Sequence, residues 1–281
     1  MVDLSHHEPL IRLACFLTVL LAMMLWEWRR PRRSLSLPRA RRWPANLGII
    51  VVDGVVLRLA FPILAVGAAE LAETHGWGLF HGLRAPFWLA CAGSLLLLDL
   101  TIYAQHVAFH KIPLLWRLHR MHHTDLDFDV TTALRFHPLE IVLSMLIKLA
   151  VVLILGAPPV AVLLFEVILN ATALFNHGNV RLPERMDRTL RRLLVTPDMH
   201  RVHHSARPEE TDRNFGFNLS WWDRVFGTYR DQPRDGHAGM TIGLEYFRDW
   251  RAIRLHGLLA QPFMNPASGS KPAPSPSNPL P

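Results

Sequence analysis

The chain has 281 residues, half of them hydrophobic, with a formal net charge of +7 and 16 histidines. Its mean hydropathy is positive, at +0.17, which argues against an ordinary soluble domain. The positive charge is concentrated in one block, Arg29 to Arg42, instead of being spread as a nucleic-acid-binding surface requires, so no nucleic-acid partner is expected.

In chain order, the first apolar segment runs from about Leu10 to Trp28. A cleaved signal peptide fits poorly, since His6, His7 and Glu8 precede the segment and the positive charge follows it. Cys15, here, and Cys91, in a later run, read as small core residues, which leaves neither a disulfide nor a cysteine metal site. The arginine block that follows has the positive-inside pattern of a cytoplasmic flank. Further apolar segments span about Leu47 to Ala69 and Pro86 to Tyr103. A longer region, about Leu139 to Phe175, is interrupted by Gly156-Ala157-Pro158-Pro159, which predicts a hairpin of two short helices. Each run suits a membrane span of about 20 residues. Lys148 and Glu166 stand nine residues on either side of Ala157, so they should meet at one depth of the hairpin and pair there.

Counting spans from the arginine block puts residues 104–137 and everything from 177 onward on the cytoplasmic side, with Glu70 to Ala85 opposite. The clustered histidines all fall on that cytoplasmic side. His106 and His110 form HxxxH; His119, His122 and His123 form HxxHH; His200, His203 and His204 form a second HxxHH. Residues three and four apart share a helix face, so each cluster can aim two or three imidazoles at one point. One HxxHH arises by chance in about one such chain in twenty, but two in only about one in a thousand. Eight imidazoles exceed the needs of one tetrahedral ion and suit two metals. His177 in "NHGN" is a further ligand candidate. His137 in "RFHP" serves equally as a ligand or a helix cap. His6, His7, His75, His81, His237 and His256 are isolated and read as non-ligands.

Asp125, Asp127, Asp129 and Asp198 flank the two HxxHH boxes. They suit either partners for ligand N–H groups or a solvated loop. Asp99 shares a helical stripe with Tyr103, His106 and His110, about 10 Å deeper than His106. It is expected to line the approach to the metals or to support a ligand. Trp221, Trp222 and Phe226 fit a cover over the site or an interfacial aromatic belt.

The boxes, with "HHTDLDFDVTTALRFHPLEI", "FNHGNV", "TPDMHRVHHS" and "NFGFNLSWWDRVFGTYR", resemble the bacterial members of the fatty acid hydroxylase and sterol desaturase superfamily over about residues 40–235. "FNHGN" also resembles the alkylglycerol monooxygenase branch. The resemblance implies two iron ions that use O2 to hydroxylate or desaturate a fatty acyl, sterol-like or ether lipid. It carries the metal role to His106, His110, His119, His122, His123, His200, His203 and His204. No flavin or nicotinamide fingerprint and no iron–sulfur cysteines occur, so a separate ferredoxin, cytochrome or reductase is expected to supply electrons. A zinc-dependent membrane hydrolase would want an HExxH-like base, which is lacking. A non-catalytic metal-binding transporter would want ligands inside the spans.

The expected fold is all-α: an integral membrane helical bundle with a cytoplasmic histidine-rich helical cap holding a di-metal site, in a bacterial inner membrane. The expected organisation is an N-terminal helix and basic flank (1–43), the hydroxylase-like domain (44–235), a C-terminal cytoplasmic segment (236–264) and a disordered tail (265–281) rich in Pro, Ser and Ala.

Overall fold

The computed structural model describes residues 4–265; the tail over 266–281 and the side chain of His6 lie outside the described residues. The described chain is helical, and five helical segments are long and apolar enough to cross a membrane. Helix α1 (Leu4–Arg29) presents Leu10, Leu13, Leu17, Leu21 and Leu25 outward at helical spacing. An exposed leucine stripe of this length is stable against lipid and costly against water.

The second apolar segment is not one helix. Helix α2 (Arg39–Ala60) stops before Pro62, and α3 (Ala65–His75) follows after a short break. Proline biases the residue before it toward extended backbone, and Phe61 is extended. Helix α3 buries Ala65, Ala68, Ala69 and Ala72. Those small side chains let it pack closely on the long hairpin. A short turn, α4 (Leu79–Gly82), leads to α5 (Phe87–Lys111), which runs two turns beyond the expected apolar stretch and so carries both histidines of HxxxH. Helix α6 (Pro113–His123) follows after one residue.

The hairpin has the expected form, with α7 (Pro138–Leu155) ending at Gly156 and α8 (Pro159–Asn176) starting at the second proline. Gly156 has φ +62°, and a Cβ on Gly78 would lie 2.1 Å from the Gly156 nitrogen. Two glycines therefore let the α3–α4 loop touch the hairpin tip. This contact closes the end of the bundle opposite the histidines. At the histidine end come α9 (Glu184–Leu190) and α10 (Pro197–His203), then short turns and loops through residue 265.

The arginine block is more than a flank. Arg42 is fully buried: its Nε and Nη2 each reach a carboxylate oxygen of Asp125 at 2.7 Å, and its Nη1 reaches Asp129 at 2.8 Å. Arg32 binds Asp198, and Arg33 donates to the Met240 carbonyl. The block thus ties the histidine cap together, while Arg29, Arg30 and Arg41 stay exposed.

Candidate metal centre

Nine of the ten candidate histidines converge. His106, His110, His119, His123 and His203 form one group and His122, His177, His200 and His204 a second, with the potential ligand atoms of each group within 4.8 Å of one another. Helix α5 supplies two of them and α6 three. His177 comes from the C-terminal cap of α8, and the rest come from α10 and its cap. Helix α10 starts where it must because Pro197 occupies its first turn and the Thr196 hydroxyl caps the Met199 N–H.

The hydrogen bonds fix which nitrogen of several rings carries the proton. Nδ1 of His106 faces the Phe215 carbonyl at 2.8 Å, Nδ1 of His203 faces the Arg213 carbonyl at 2.7 Å, and Nδ1 of His177 faces the Ala173 carbonyl at 2.7 Å. A carbonyl only accepts, so each Nδ1 is the donor and each Nε2 presents a bare lone pair. Yet Nε2 of His203 lies 3.0 Å from Nε2 of His106, and Nε2 of His177 lies 3.0 Å from that of His200. The His106–His203 contact sets two lone pairs against each other, which is repulsive unless a cation sits between them. The first group's donor set therefore calls for a cation, and in the second the bare Nε2 of His177 beside three neighbouring imidazoles fits a metal ion as well.

Burial keeps the rings neutral and ready to ligate. It pushes the His119 imidazole down to about 3 and that of His177 to about 4, the latter opposed by the Ala173 carbonyl. Burial also pushes His122, His123, His200, His203 and His204 well down.

The carboxylates supporting the ligands are not the ones flanking the boxes. Glu140, in the first turn of α7, accepts from Nδ1 of His119 at 2.7 Å, and Asp212 lies 3.3 Å from Nδ1 of His110. Glu140 stands in the "HPLE" stretch, and the signal that could have found it is an acid in the first turn of a helix aimed at the boxes. The aspartates of "DLDFD" are neither ligand partners nor a solvated loop. Asp125 and Asp129 pair with Arg42, and Asp127 accepts from the Ser36 and Leu37 amides. Burial alone would raise the Asp125 carboxyl, but Arg42 and Arg135 hold it well below the usual range. Asp198 binds Arg32 and Arg201.

His137 stands outside both groups. It is the N-terminal cap of α7, where its Nδ1 accepts from the Leu139 amide, and its Nε2 lies 3.2 Å from the Leu259 carbonyl. Asp99 also touches no histidine: it accepts from Trp222 Nε1 at 2.8 Å and from the Leu219 amide at 3.3 Å. Asp99 shares the buried face of α5 with Tyr103 and His106, but there that face meets the "NLSWW" segment instead of a ligand. Tyr103 follows suit, with its hydroxyl 2.8 Å from that of Thr228 and its ring stacked on Phe226. Trp222 and Phe226 therefore brace α5, and Trp221 is partly exposed with its Nε1 on the Arg192 carbonyl. His75, His81, His237 and His256 join neither group.

A cavity of about 560 Å³ runs from His106 and His119 down between α1, α2, α5, α7 and α8. Its upper walls are largely apolar, with Ile50, Ile102, Phe109, Leu134, Phe136 and Phe217. At its deeper end lies the pair predicted in the hairpin. Lys148 Nζ meets Glu166 at 2.7 Å, and the pair extends through Arg12, 2.9 Å from Glu166, to Glu8. A smaller cavity of about 270 Å³ reaches His110 past Trp116, Asp212 and Tyr246.

Fold and site define a membrane-spanning helical bundle carrying a nine-histidine candidate metal centre at one end of an internal cavity. The chain matches the fatty acid hydroxylase family over residues 91–228, a stretch that takes in every histidine of both groups. It is 29% identical over 209 residues to alkylglycerol monooxygenase of Danio rerio, covering 70% of this chain and 43% of that protein. It is also 29% identical over 207 residues to the ornithine lipid hydroxylase OlsE of Rhizobium tropici, covering 73% and 59%. Cholesterol 25-hydroxylase of Rattus norvegicus is 26% identical over 142 residues, covering 50% and 46%. The chain spans about half the length of the curated relatives it matches. No solved structure matches it.

Proposed function

We propose that the chain is an O2-dependent membrane oxidoreductase that hydroxylates a lipid at a pair of iron ions. The observation that carries the reading is the cavity. It ends on His106 and His119, both of the five-histidine group, and is walled by apolar side chains that suit a lipid chain. Hydroxylases and monooxygenases recur among the relatives' names.

His106, His110, His119, His123 and His203 would hold one ion, and His122, His177, His200 and His204 the other. Five imidazoles around one point exceed the tetrahedral set that zinc favours, which argues for iron over a zinc hydrolase. Bound iron supplies O2 activation and the removal of hydrogen from an unreactive C–H bond. The chain's own contribution is positional. The Phe215, Arg213 and Ala173 carbonyls and Glu140 fix ring orientation, and Phe109 and Phe217 keep the reacting carbon's surroundings dry. Electrons come from a separate donor. In this reading the histidine end faces the cytoplasm from a bacterial inner membrane, and the exposed Arg29, Arg30, Arg41, Arg181, Arg185, Arg188 and Arg192 support that orientation.

The test is turnover of the iron-loaded protein with reductant, membrane lipid extract and isotopically labelled O2. The reading expects one labelled oxygen in a lipid alcohol. Label entering only from water, or product formed equally without O2, overturns it.

A further inference from the structure

The aromatic rings packed on the nine histidines are of one kind, with one exception among the described residues. Phe109, Phe128, Phe136, Phe215 and Phe217 each lie against at least one of the imidazoles. The exception is Trp116. Its ring centroid stands 4.9 Å from that of His110, 5.4 Å from His123 and 6.3 Å from His119, all in the five-histidine group. The Trp116 indole Nε1 donates to the Tyr246 hydroxyl at 3.2 Å. Both residues line the cavity of about 270 Å³ that reaches His110, and both are partly exposed. The apolar cavity meets the same group at His106 and His119, and the two cavities share no lining residue.

A phenyl ring resists one-electron oxidation, whereas indole and phenol give up an electron to an oxidant strong enough to attack a C–H bond. The phenylalanines therefore insulate the histidines, and Trp116 is the one opening. An indole N–H needs only an acceptor, yet the acceptor here is a second oxidisable ring that leads toward solvent. A hydroxyl that accepts from Trp116 keeps its own hydrogen, so Tyr246 has a proton to release at the cavity. We infer that Trp116 and Tyr246 form an oxidative escape route, which drains an oxidising equivalent from the five-histidine ion when no lipid carbon is in place. This inference rests on the proposed iron chemistry but concerns its unproductive branch, so it can be tested apart from lipid turnover.

Electrons and protons balance along the route. Trp116 gives one electron to the oxidised ion, and Tyr246 gives one electron to the indole cation, which restores Trp116. The phenol loses its proton to solvent at the same stage and is left as a neutral radical. A one-electron reductant, of the class that serves the reaction itself, returns Tyr246 to its starting state with one proton from solvent. One external electron thus removes one oxidising equivalent, and no side chain is consumed. The lipid carbon at His106 and His119 and the indole at His110 and His123 draw on one ion from different sides. A site that makes a strong oxidant must also limit side reactions, and with the apolar cavity empty the alternative targets are the ligands themselves.

The experiment adds hydrogen peroxide to the iron-loaded protein in lipid-free detergent, freezes the mixture and records its electron paramagnetic resonance. Peroxide oxidises the centre without O2, electron donor or lipid. The unaltered protein is expected to show a tyrosyl radical, identified by ring-deuterated tyrosine. Tyr246→Phe is expected to show an indole radical instead. Trp116→Phe, which keeps a ring against the histidines, is expected to lose both signals while keeping its iron. The metal-free protein is expected to show neither. No organic radical in the unaltered protein overturns the inference, as does a tyrosyl signal unchanged in Trp116→Phe, in Tyr246→Phe or in the metal-free protein. Should Trp116→Phe lose its iron, Tyr246→Phe decides alone, since Tyr246 packs on Phe247 at a remove from the histidines. The radical in a protein that oxidises no lipid leaves the escape route standing and overturns the reaction. Lipid oxidation in a protein that forms no radical does the reverse.

Discussion

Arg42 grips Asp125 through two parallel hydrogen bonds, each 2.7 Å long, with both side chains sealed from solvent. The pair joins α2 to the loop just behind His122 and His123, so the geometry of α6 depends on a residue 83 positions away. Arg42→Met leaves Asp125 and Asp129 short of their main cation, and the loss should be about 3–5 kcal/mol. Thermal melting in detergent should show a large drop for Arg42→Met, and Arg42→Met with Asp125→Asn should recover part of it. A double variant no better than the single one would contradict the pairing.

Much of this arrangement was legible in the sequence, for local reasons. Helical spacing brings His106 next to His110 and His119 next to His123, and the proline pair after Gly156 dictates the hairpin. The partners of the charged residues were not legible, because they are set by contacts between distant segments. Arg42 stands in a run of arginines that by composition suits a membrane flank, and only the packing of α2 behind the "DLDFD" loop gives it Asp125 and Asp129 as partners. Helical spacing puts Asp99 on the same buried face as His106, but its partner Trp222 lies 123 positions further on. Lys148 and Glu166 were predictable because equal arms around one turn fix their register. Arg12 was not, because it arrives on another helix.

Glu140 holds His119 by a charge-assisted bond of 2.7 Å. Glu140→Gln keeps an acceptor there without the charge, and Glu140→Leu removes it. Metal affinity should fall about tenfold to a hundredfold for Leu and less for Gln. Competitive chelator titration followed by elemental analysis measures this. Unchanged affinity in Glu140→Leu would show that the carboxylate does not support the ligand.

The deep quartet makes an ordered claim about stability. Lys148→Met alone leaves Glu166 with Arg12 and should cost only about 1–3 kcal/mol. Arg12→Met with Lys148→Met orphans Glu166 inside the bundle, which should cost several kcal/mol more than the sum of the two single changes. Strict additivity in melting experiments would argue against a shared network.

His237 gives a pH dependence with a definite sign. Burial pushes its imidazole down to about 3. Arg201, Arg32 and Arg191 add to the lowering, and Asp198, 3.5 Å away, opposes it. The unfolded chain titrates near 6.5, so between these values it binds a proton that the folded chain refuses. The contribution of His237 is therefore complete above about pH 6.5 and is lost as the pH falls toward 3. Relative to His237→Gln, the native protein should lose up to about 1.4 kcal/mol per pH unit between pH 6 and 4. Parallel stability curves would mean that His237 is not held neutral.

The central claim is that the nine histidines hold two metal ions, one in each group. Its most direct test is iron per chain after anaerobic loading and removal of excess metal, for the native protein and for His177→Ala. His177 belongs to the four-histidine group alone and lies outside the cavity wall. The account predicts two irons in the native protein and one in the variant. One iron or none in the native protein, or two retained in His177→Ala, would contradict it.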